Sequence, residues 1–507
     1  MKIGTIAMLV VSFQVAMYGQ KNPDTYYSPQ QLQEDVNIFK TALETVHPAL
    51  DVYLPKDSFD LYMDLLNTAV SDSLTRRAFS RLLLSTARKL RCSHTQISYS
   101  TSLGARLVRL IKTNKSSYLP VTIFQEENSV LVKDFKPDGS GEVIGKLLTI
   151  NGMPTQVLLD SLGQYFPADG FTDTRPHFYQ YHLNNWYDGI IMDKQQDSVE
   201  LILEKLNETD TIRLVSSQVA RSTVLPSPSM DTTWQWQAVS KQKAFRKETL
   251  TLWYNDTLSR TALLDIAAFR KDKKGKLLAA IFEQLQKDSV EHLIIDLQRN
   301  LGGDIQSSTL LLQYLMPDSF FFRVDKVNND ATALEKYVET NKKTYNDQQY
   351  TKFRKYVQKF AAISYLDGRL GVTLKPIDNN HFNGRITVLI SGQSFSASAM
   401  VASYLKDREN TITVGQETGG GAVMTSGGRY MTVKLPHSEV NVNIPIYKLE
   451  WDVKNGTLGK GVQPDIEVVS TLNDQYQHQN NALEKAVRIA QQKLKDDNNS
   501  RSILEEK

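Results

Sequence analysis

The chain has 507 residues, which at roughly 100–200 residues per domain predicts two to four domains. Its composition, with 41% hydrophobic and 23% charged residues, excludes wholesale disorder and a fibrous architecture, and its net charge of +3 gives no reason to expect nucleic-acid binding. The single cysteine, Cys92, excludes an intrachain disulfide framework, and no Cys/His cluster has the spacing of a zinc site.

Residues 1–20 have the three parts of a secretory signal. Lys2 supplies a positive charge, residues 6–11 form a short apolar run, and small residues near Gly19 offer a cleavage site. The alternatives are a disordered tail or the start of a core strand. No later stretch has the ~20 apolar residues that a spanning helix needs, so no membrane span is expected. We therefore expect an exported, soluble protein, periplasmic or extracellular.

Residues 21–100 have the pattern of a helical domain. The run Ser28–Gln31 provides an N-cap serine, a proline in the first turn and a glutamine three residues after the cap. Apolar residues then recur every three or four positions up to His47, which precedes a proline and therefore ends the helix. The segment predicts a small helical bundle. Its helices are expected at about residues 29–47, 58–69 and 75–90.

Residues 115–225 change to a strand pattern. Apolar runs at 119–124 and 130–132 flank a polar turn and predict a hairpin. A further strand ends at Ile150 and is followed by an Asn151–Gly152 turn and a helical stretch. This order resembles the core of a PDZ-like domain, which binds an extended peptide as an added strand.

Residues 245–470 alternate apolar strands with helices, which predicts a layered α/β core. The strand at 293–297 is apolar almost throughout, as a strand buried on both faces is. The polar and aromatic stretch 329–365 is expected to be an insertion or lid, and residues 471–507 a C-terminal helix and tail. Further strands are expected at about 263–266, 386–390 and 411–415, and helices at about 277–285, 309–315 and 396–405.

The segment Asp296–Gly303 ends the buried strand in a turn with two glycines. Glycines let the backbone approach a ligand closely and leave N–H groups free, as an oxyanion hole requires. An ordinary strand-to-helix turn is the alternative. The segment lacks the Lys-Ser/Thr pair of a phosphate loop and any Gly-x-Gly-x-x-Gly pattern, so nucleotide binding is disfavoured.

A serine-rich segment follows the strand expected at 386–390. Ser396 stands at the N-terminus of a helix of small residues, where the helix dipole favours the oxyanion of acyl transfer. The alternative is that Ser394 or Ser396 only caps this helix.

Together, these segments resemble the tail-specific proteases, also called C-terminal processing peptidases. The matching stretches are DLRxNxGG at Asp296–Gly303, (T/S)FSAxA/E at Ser394–Met400, GxxTxG at Gly415–Gly420 and GVxPD at Gly461–Asp465. The helical and PDZ-like segments match accessory parts of bacterial members, so the resemblance covers nearly all of the chain after residue 20. It implies a crotonase/ClpP-like layered α/β core with an N-terminal helical bundle and a PDZ-like domain.

The resemblance also implies residue roles. Ser396 matches the nucleophile, and the N–H groups of Gly302 and Ala397 match the oxyanion hole. Many members use a lysine base in the pattern GxxTxGKG, but this chain reads Thr418–Gly421 there and has no lysine. The tricorn-like branch instead uses a histidine from the N-terminal domain, and His94 fits that role because the pKa of histidine lies near neutrality. A structural role at a helix exit is the alternative for His94.

Tricorn-like members add a serine beside the base and a distant acid that orients the imidazole. Ser93 fits the serine by adjacency. Glu417, Glu450 and Asp452 are candidates for the acid, and Glu417 in the glycine motif is favoured. Met400 stands where many relatives have an acidic residue.

These observations predict an exported serine endopeptidase in which His94 activates Ser396. No metal or organic cofactor is expected, and the expected partner is a polypeptide substrate, with capture of its C-terminus as one option. Two alternatives stay open: a catalytically silent protein that holds a peptide or apolar ligand, and an esterase acting on a glycan or lipid. The sequence does not indicate the oligomeric state.

Overall fold

The computed structural model describes residues 25–99, 121–126, 129–134, 143–172, 174, 198–205, 211–217, 236–238, 246–247, 249–255, 258–272, 275–326, 331–338, 361–366, 369–469 and 480–492. The expected signal at residues 1–20 and much of the expected insertion lie outside these ranges, so both stay predictions. Within the described ranges, no helix is long and apolar enough to cross a membrane.

The N-terminal part of the chain is helical, as its periodicity predicts. Helix α1 begins with the expected capping box, in which Ser28 and Gln31 exchange hydrogen bonds, and it ends before His47. A two-stranded antiparallel ladder, β1 with β2, brings the start of α1 next to the start of α4. The elements are β1 Tyr26–Tyr27, α1 Pro29–Val46, α2 Leu50–Tyr53, α3 Lys56–Ala69, β2 Leu74–Thr75, α4 Arg76–Arg88 and β3 Gln96–Tyr99.

An antiparallel sheet follows, with strand order β4-β5-β6-β8-β9 and the short β7 paired with β6. Asn151 and Gly152 join β6 to β7 with positive φ angles of 47° and 76°, the conformation of a tight Asn-Gly turn. The predicted order of strand, turn and helix therefore occurs here. The elements are β4 Val121–Glu126, β5 Ser129–Asp134, β6 Val143–Ile150, β7 Met153–Pro154, α5 Thr155–Gly163, β8 Ser198–Glu204 and β9 Thr211–Ser217.

The central sheet has the order β10-β12-β13-β14-β18-β19-β22, with β11 paired to β12. Strands β13, β14, β18, β19 and β22 are parallel, so their carboxyl ends meet at one edge. The strands are β10 Trp236–Ala238, β11 Arg246–Lys247, β12 Leu250–Asn255, β13 Thr261–Ile266, β14 His292–Asp296, β18 Arg385–Ile390, β19 Thr411–Gly415 and β22 Ile466–Glu467. The helices between them are α6 Lys276–Lys287, α7 Ile305–Leu315 and α8 Ala397–Asp407.

A second sheet of the core has the order β16-β17-β15-β21-β20, and β3 pairs with β21. A 3-10 helix at Thr332–Tyr337 precedes a bridge between Val338 and Val433, so this part of the expected insertion lies against β20. The strands are β15 Phe320–Lys326, β16 Ala361–Leu366, β17 Arg369–Leu374, β20 Met424–Lys434 and β21 Val440–Trp451.

Among the described residues, three hydrophobic clusters hold these layers together. Helices α6, α7 and α8 share one cluster with both core sheets, and a helix at 481–492 covers the opposite face of the central sheet. The apolar faces of α1, α3 and α4 share a cluster with the β20–β21 hairpin. The helices predicted as a bundle therefore form one layer of a larger core and do not pack only on each other.

Candidate active site

Ser396 lies at the carboxyl edge of the central sheet, between β18 and α8. Its backbone is strained, with φ 57° and ψ −123°, a conformation that non-glycine residues rarely adopt. Its side chain makes no capping hydrogen bond to α8. Instead, Ser396 Oγ lies 3.1 Å from Nε2 of His94.

His94 comes from the short connection between α4 and β3 and is buried. Its ring stacks on Phe395, with centroids 4.5 Å apart and planes 23° from parallel. On β20, Gly427 leaves room for the ring, because a Cβ there would lie 3.2 Å from both Cδ2 and Nε2 of His94. The two neighbours hold the imidazole in the orientation that faces Ser396.

The other ring nitrogen of His94 faces a buried relay. Nδ1 lies 3.4 Å from Thr425 Oγ1, and that hydroxyl donates to Asp169 Oδ2 at 3.2 Å. An ionised carboxylate only accepts, so the Thr425 proton points to Asp169 and its oxygen accepts from His94 Nδ1–H. This arrangement leaves the Nε2 lone pair facing the Ser396 hydroxyl.

Asp169 is buried, and its carboxylate is also 4.0 Å from His94 Nδ1. It lies beyond α5, and a hydrogen bond from Gly170 N–H to the Arg91 carbonyl brings it to the His94 connection. Burial raises the pKa of Tyr53 and of Cys92, the latter to about 12, and the negative charge of Asp169 raises both further. The phenol and the thiol beside Asp169 are therefore neutral at neutral pH.

Ser93 contacts this acid and not the imidazole ring. Its N–H donates to Asp169 Oδ1 at 2.8 Å, and its hydroxyl donates to the Pro167 carbonyl at 3.0 Å. Ser93 thus fixes the segment that carries Asp169.

The acid expected from the glycine motif lies elsewhere. Glu417 Oε1 accepts from the Gly461 N–H at 2.7 Å, which ties the glycine motif to the closing motif. Glu450 pairs with Lys448 at 3.0 Å, on β21. The carboxylate that the fold brings to His94 is Asp169, which the sequence analysis did not single out. Nothing local in the sequence marks Asp169 or Thr425, because both reach His94 only through tertiary packing.

The glycine turn after β14 lies directly against Ser396. A Cβ on Gly302, whose φ is 93°, would lie 2.8 Å from Ser396 Cβ and 3.0 Å from Ala397 N, so only glycine fits. However, the Gly302 N–H donates to Asn300 Oδ1 at 2.8 Å. The amide expected to bind an oxyanion is therefore engaged inside its own turn.

The N–H group of the next residue, Gly303, points in a different direction from the N–H group of Gly302. The Gly302 carbonyl accepts from Phe269 N–H at 3.0 Å, on the β13 side of the turn. In a trans peptide the following N–H points the opposite way, so the Gly303 N–H faces the β18 side, where Ser396 follows. Within the described residues, neither the Gly303 N–H nor the Ala397 N–H has a hydrogen-bond partner.

Comparison with known families identifies the core. Residues 260–468 match the model of peptidase family S41. Residues 260–468 therefore form a domain similar to the peptidases of family S41. The family resemblance predicted from the motifs is thereby confirmed. The S41 segment contains Ser396, Thr425 and the glycine motifs at Asp296–Gly303 and Gly415–Gly420, whereas His94 and Asp169 precede it.

Solved structures of CPAF share the fold of this chain. The structure of mature CPAF complexed with lactacystin aligns with a TM-score of 0.59 at 14% identity, over 91% of this chain and 98% of that chain. The crystal structure of mature CPAF gives 0.58 at 15% identity, over 91% and 96%. The photosystem II D1 C-terminal processing protease gives 0.39 at 14% identity, over 87% and 93%. The CPAF alignments establish the fold. A comparison with curated proteins finds no match.

Proposed function

We propose that this S41 protein is an exported serine endopeptidase with Ser396 as nucleophile and His94 as general base. The observation that carries the proposal is the 3.1 Å distance between Ser396 Oγ and His94 Nε2, with Nδ1 held by Thr425 and Asp169. A serine is a weak nucleophile without a neighbouring base, and the lysine of related motifs is absent at Thr418–Gly421. His94 supplies the basic nitrogen at hydrogen-bond distance.

In the proposed reaction, His94 Nε2 accepts the Ser396 proton as Oγ attacks the carbonyl carbon of the scissile peptide bond. The imidazolium is stabilised through Nδ1–H by Thr425 and Asp169. It then protonates the leaving amine, which departs and leaves an acyl group on Ser396. Water attacks the acyl-enzyme while His94 again accepts a proton, and the second product leaves with a free carboxylate.

The oxyanion that forms in both steps needs two fixed donors. Ala397 N–H, at the N-terminus of α8, is one, as the motif implies. For the other we propose Gly303 in place of Gly302, because the Gly302 N–H is occupied by Asn300, whereas the Gly303 N–H is unpaired among the described residues and points away from Phe269.

Two further parts of the proposal concern how the substrate is captured and where the protein is exported. The strand, Asn-Gly turn and helix at residues 143–163 support a PDZ-like substrate module that takes an extended chain as an added strand. The apolar run and cleavage site within residues 1–20 support export to the periplasm or the exterior.

The proposal is tested by hydrolysis of β-casein, a naturally unfolded polypeptide, by the chain without residues 1–20. Cleavage by the wild type, lost at least about 1,000-fold in Ser396→Ala and in His94→Ala, is expected. Peptide pairs with a free or an amidated C-terminus test C-terminal capture. A folded wild type that cleaves neither substrate would favour a silent binding protein. Turnover of p-nitrophenyl acetate without peptide cleavage would favour an esterase.

A further inference from the structure

Ser394 lies two residues before the proposed nucleophile and is completely buried. The sequence offers it as a helix cap, but its hydroxyl has a different environment. Ser394 Oγ donates to the Leu297 carbonyl at 2.8 Å and accepts from the Ser391 N–H at 3.0 Å. Both the donor and an acceptor site of this hydroxyl are therefore used.

These contacts belong to a short ladder between two loops. The nucleophile loop, residues 391–396, faces the oxyanion turn, residues 297–303. Three hydrogen bonds cross from the first to the second: Ser394 Oγ to the Leu297 carbonyl, Ser391 Oγ to the Gln298 carbonyl at 2.6 Å, and Phe395 N–H to the Asn300 carbonyl at 3.1 Å. These three hydrogen bonds hold the two loops against each other.

The ladder matters because each loop provides one proposed oxyanion donor. Gly303 N–H belongs to the oxyanion turn, and Ala397 N–H directly follows the nucleophile loop. The Leu297 carbonyl receives both the Ser394 hydroxyl and the Asn300 N–H, at 3.0 Å, that closes the oxyanion turn. The Leu297 carbonyl therefore accepts both the hydrogen bond that closes the oxyanion turn and a hydrogen bond that holds the nucleophile loop beside it.

We infer that Ser394 is a positioning residue that sets the spacing of the two oxyanion donors and maintains the strained backbone of Ser396. The inference rests on the proposed function, since it concerns the same site. Removing the hydroxyl leaves the Ser391 N–H without its side-chain acceptor and frees the nucleophile loop from Leu297. Misplacement of reacting groups by about 1 Å is enough to slow chemistry on the order of a hundredfold.

The chain offers a matched control on the other side of the nucleophile. Ser398 lies two residues after Ser396 and is also completely buried, but its Oγ has no hydrogen-bond partner among the described residues. Ser398→Ala therefore removes a buried hydroxyl that is, like that of Ser394, two residues from Ser396, but it breaks no hydrogen bond among the described residues. Thr387→Val provides a second control, because it breaks the buried 2.9 Å contact with His292 Nε2 in the body of the sheet.

The experiment measures the second-order rate constant for labelling of Ser396 by a fluorophosphonate probe, whose phosphoryl oxygen occupies the oxyanion site as the bond forms. The variants are Ser394→Ala, Ser394→Thr, Ser398→Ala and Thr387→Val, each with its thermal unfolding midpoint. We expect Ser394→Ala to label roughly tenfold to a hundredfold more slowly. Ser394→Thr, which restores the hydroxyl, and both controls are expected to label within about threefold of the wild type, with Thr387→Val losing thermal stability.

Two results would overturn the inference. One is wild-type labelling in Ser394→Ala. The other is equal slowing in Thr387→Val at a similar loss of midpoint, which would show that the rate follows stability alone. A folded wild type that does not label at all contradicts the proposed function itself, so the two failures are distinguishable.

Discussion

The Nε2 atom of His94 lies 3.1 Å from the Oγ atom of Ser396, although 302 positions separate the two residues in the chain. Docking of the N-terminal helices on the S41 core brings them together. At the tip of the β20–β21 hairpin, the buried Asp35 accepts the N–H groups of His437 and Ser438. Beside His94, β3 pairs with β21. The complete site therefore exists only when the helical layer is seated on the core.

Thr425→Val tests the relay behind His94. Valine has nearly the same shape as threonine but cannot pass the hydrogen bond from Nδ1 to Asp169, so the base loses its orientation and the imidazolium loses its stabilisation. We expect kcat for casein hydrolysis to fall roughly tenfold to a hundredfold, within the 10²–10⁴ that a general base contributes. Thr425→Ser, which keeps the hydroxyl, is the control. Equal activity in the valine variant would remove Thr425 from the account.

Gly427→Ala tests the space that holds the imidazole. The added methyl group would lie 3.2 Å from Cδ2 and Nε2 of His94, so the ring must shift relative to Ser396. We expect labelling of Ser396 to slow about tenfold or more, with little change in the unfolding midpoint. Gly163→Ala is a suitable control, because a methyl group there meets nothing within 4 Å. A wild-type labelling rate in the Gly427 variant would show that the ring does not need this space.

Asp465, in the closing motif, is expected to make the stability of the folded protein depend on pH. Burial raises the pKa of its carboxyl, but hydrogen bonds from Lys406 and Thr413 outweigh burial and leave the pKa below its usual value. The pKa of this carboxyl is near 3.9 in the unfolded chain and lower in the folded protein, so its ionised form stabilises the fold at pH values above about 3.9. This stabilisation is lost as the pH falls through the pKa of the folded state.

We therefore expect Asp465→Asn to lower the urea midpoint at pH 7 and to differ much less from the wild type near pH 3. The effect is expected to be modest, since the Asp465 side chain is partly exposed. Asp318→Asn, at an exposed carboxylate, controls for the loss of one charge. A gap between Asp465→Asn and the wild type that grows on acidification would contradict the sign.

Cys92 is expected to be inert in the folded protein. It is buried beside Asp169, and burial followed by that charge raises the pKa of its thiol to about 12. Because the thiolate is the reactive form, a thiol reagent such as dithionitrobenzoate is expected to react with none of the native protein at pH 8 and with one thiol per chain in urea. Rapid reaction of the native protein would show that the pocket around Asp169 is open.

The sequence was informative where a residue belongs to a local pattern. The run from Ser394 to Met400 and the two-glycine turn carry their own signals, so Ser396 and its surroundings were predictable. The capping box at Ser28 and the helical periodicity after it likewise follow from short-range rules.

The site residues that the sequence does not predict reach the site through tertiary contacts. Asp169 reaches His94 only because Gly170 pairs with Arg91, and Thr425 only because β20 passes beside the ring. The glycine motif favours Glu417 as the acid, but in the structure its carboxylate accepts a hydrogen bond from the Gly461 N–H. The side chain of Asn300 likewise occupies the N–H of Gly302 and not that of Gly303, and no spacing rule predicts this.

The most direct test of the central claim is fluorophosphonate labelling of the intact folded protein, with the modified residue identified by peptide mass spectrometry. The account predicts one adduct, on Ser396, that is absent in Ser396→Ala and at least about a hundredfold slower to form in His94→Ala. A folded wild type without an adduct, or an adduct that forms in His94→Ala at the wild-type rate, would contradict the proposal that His94 activates Ser396.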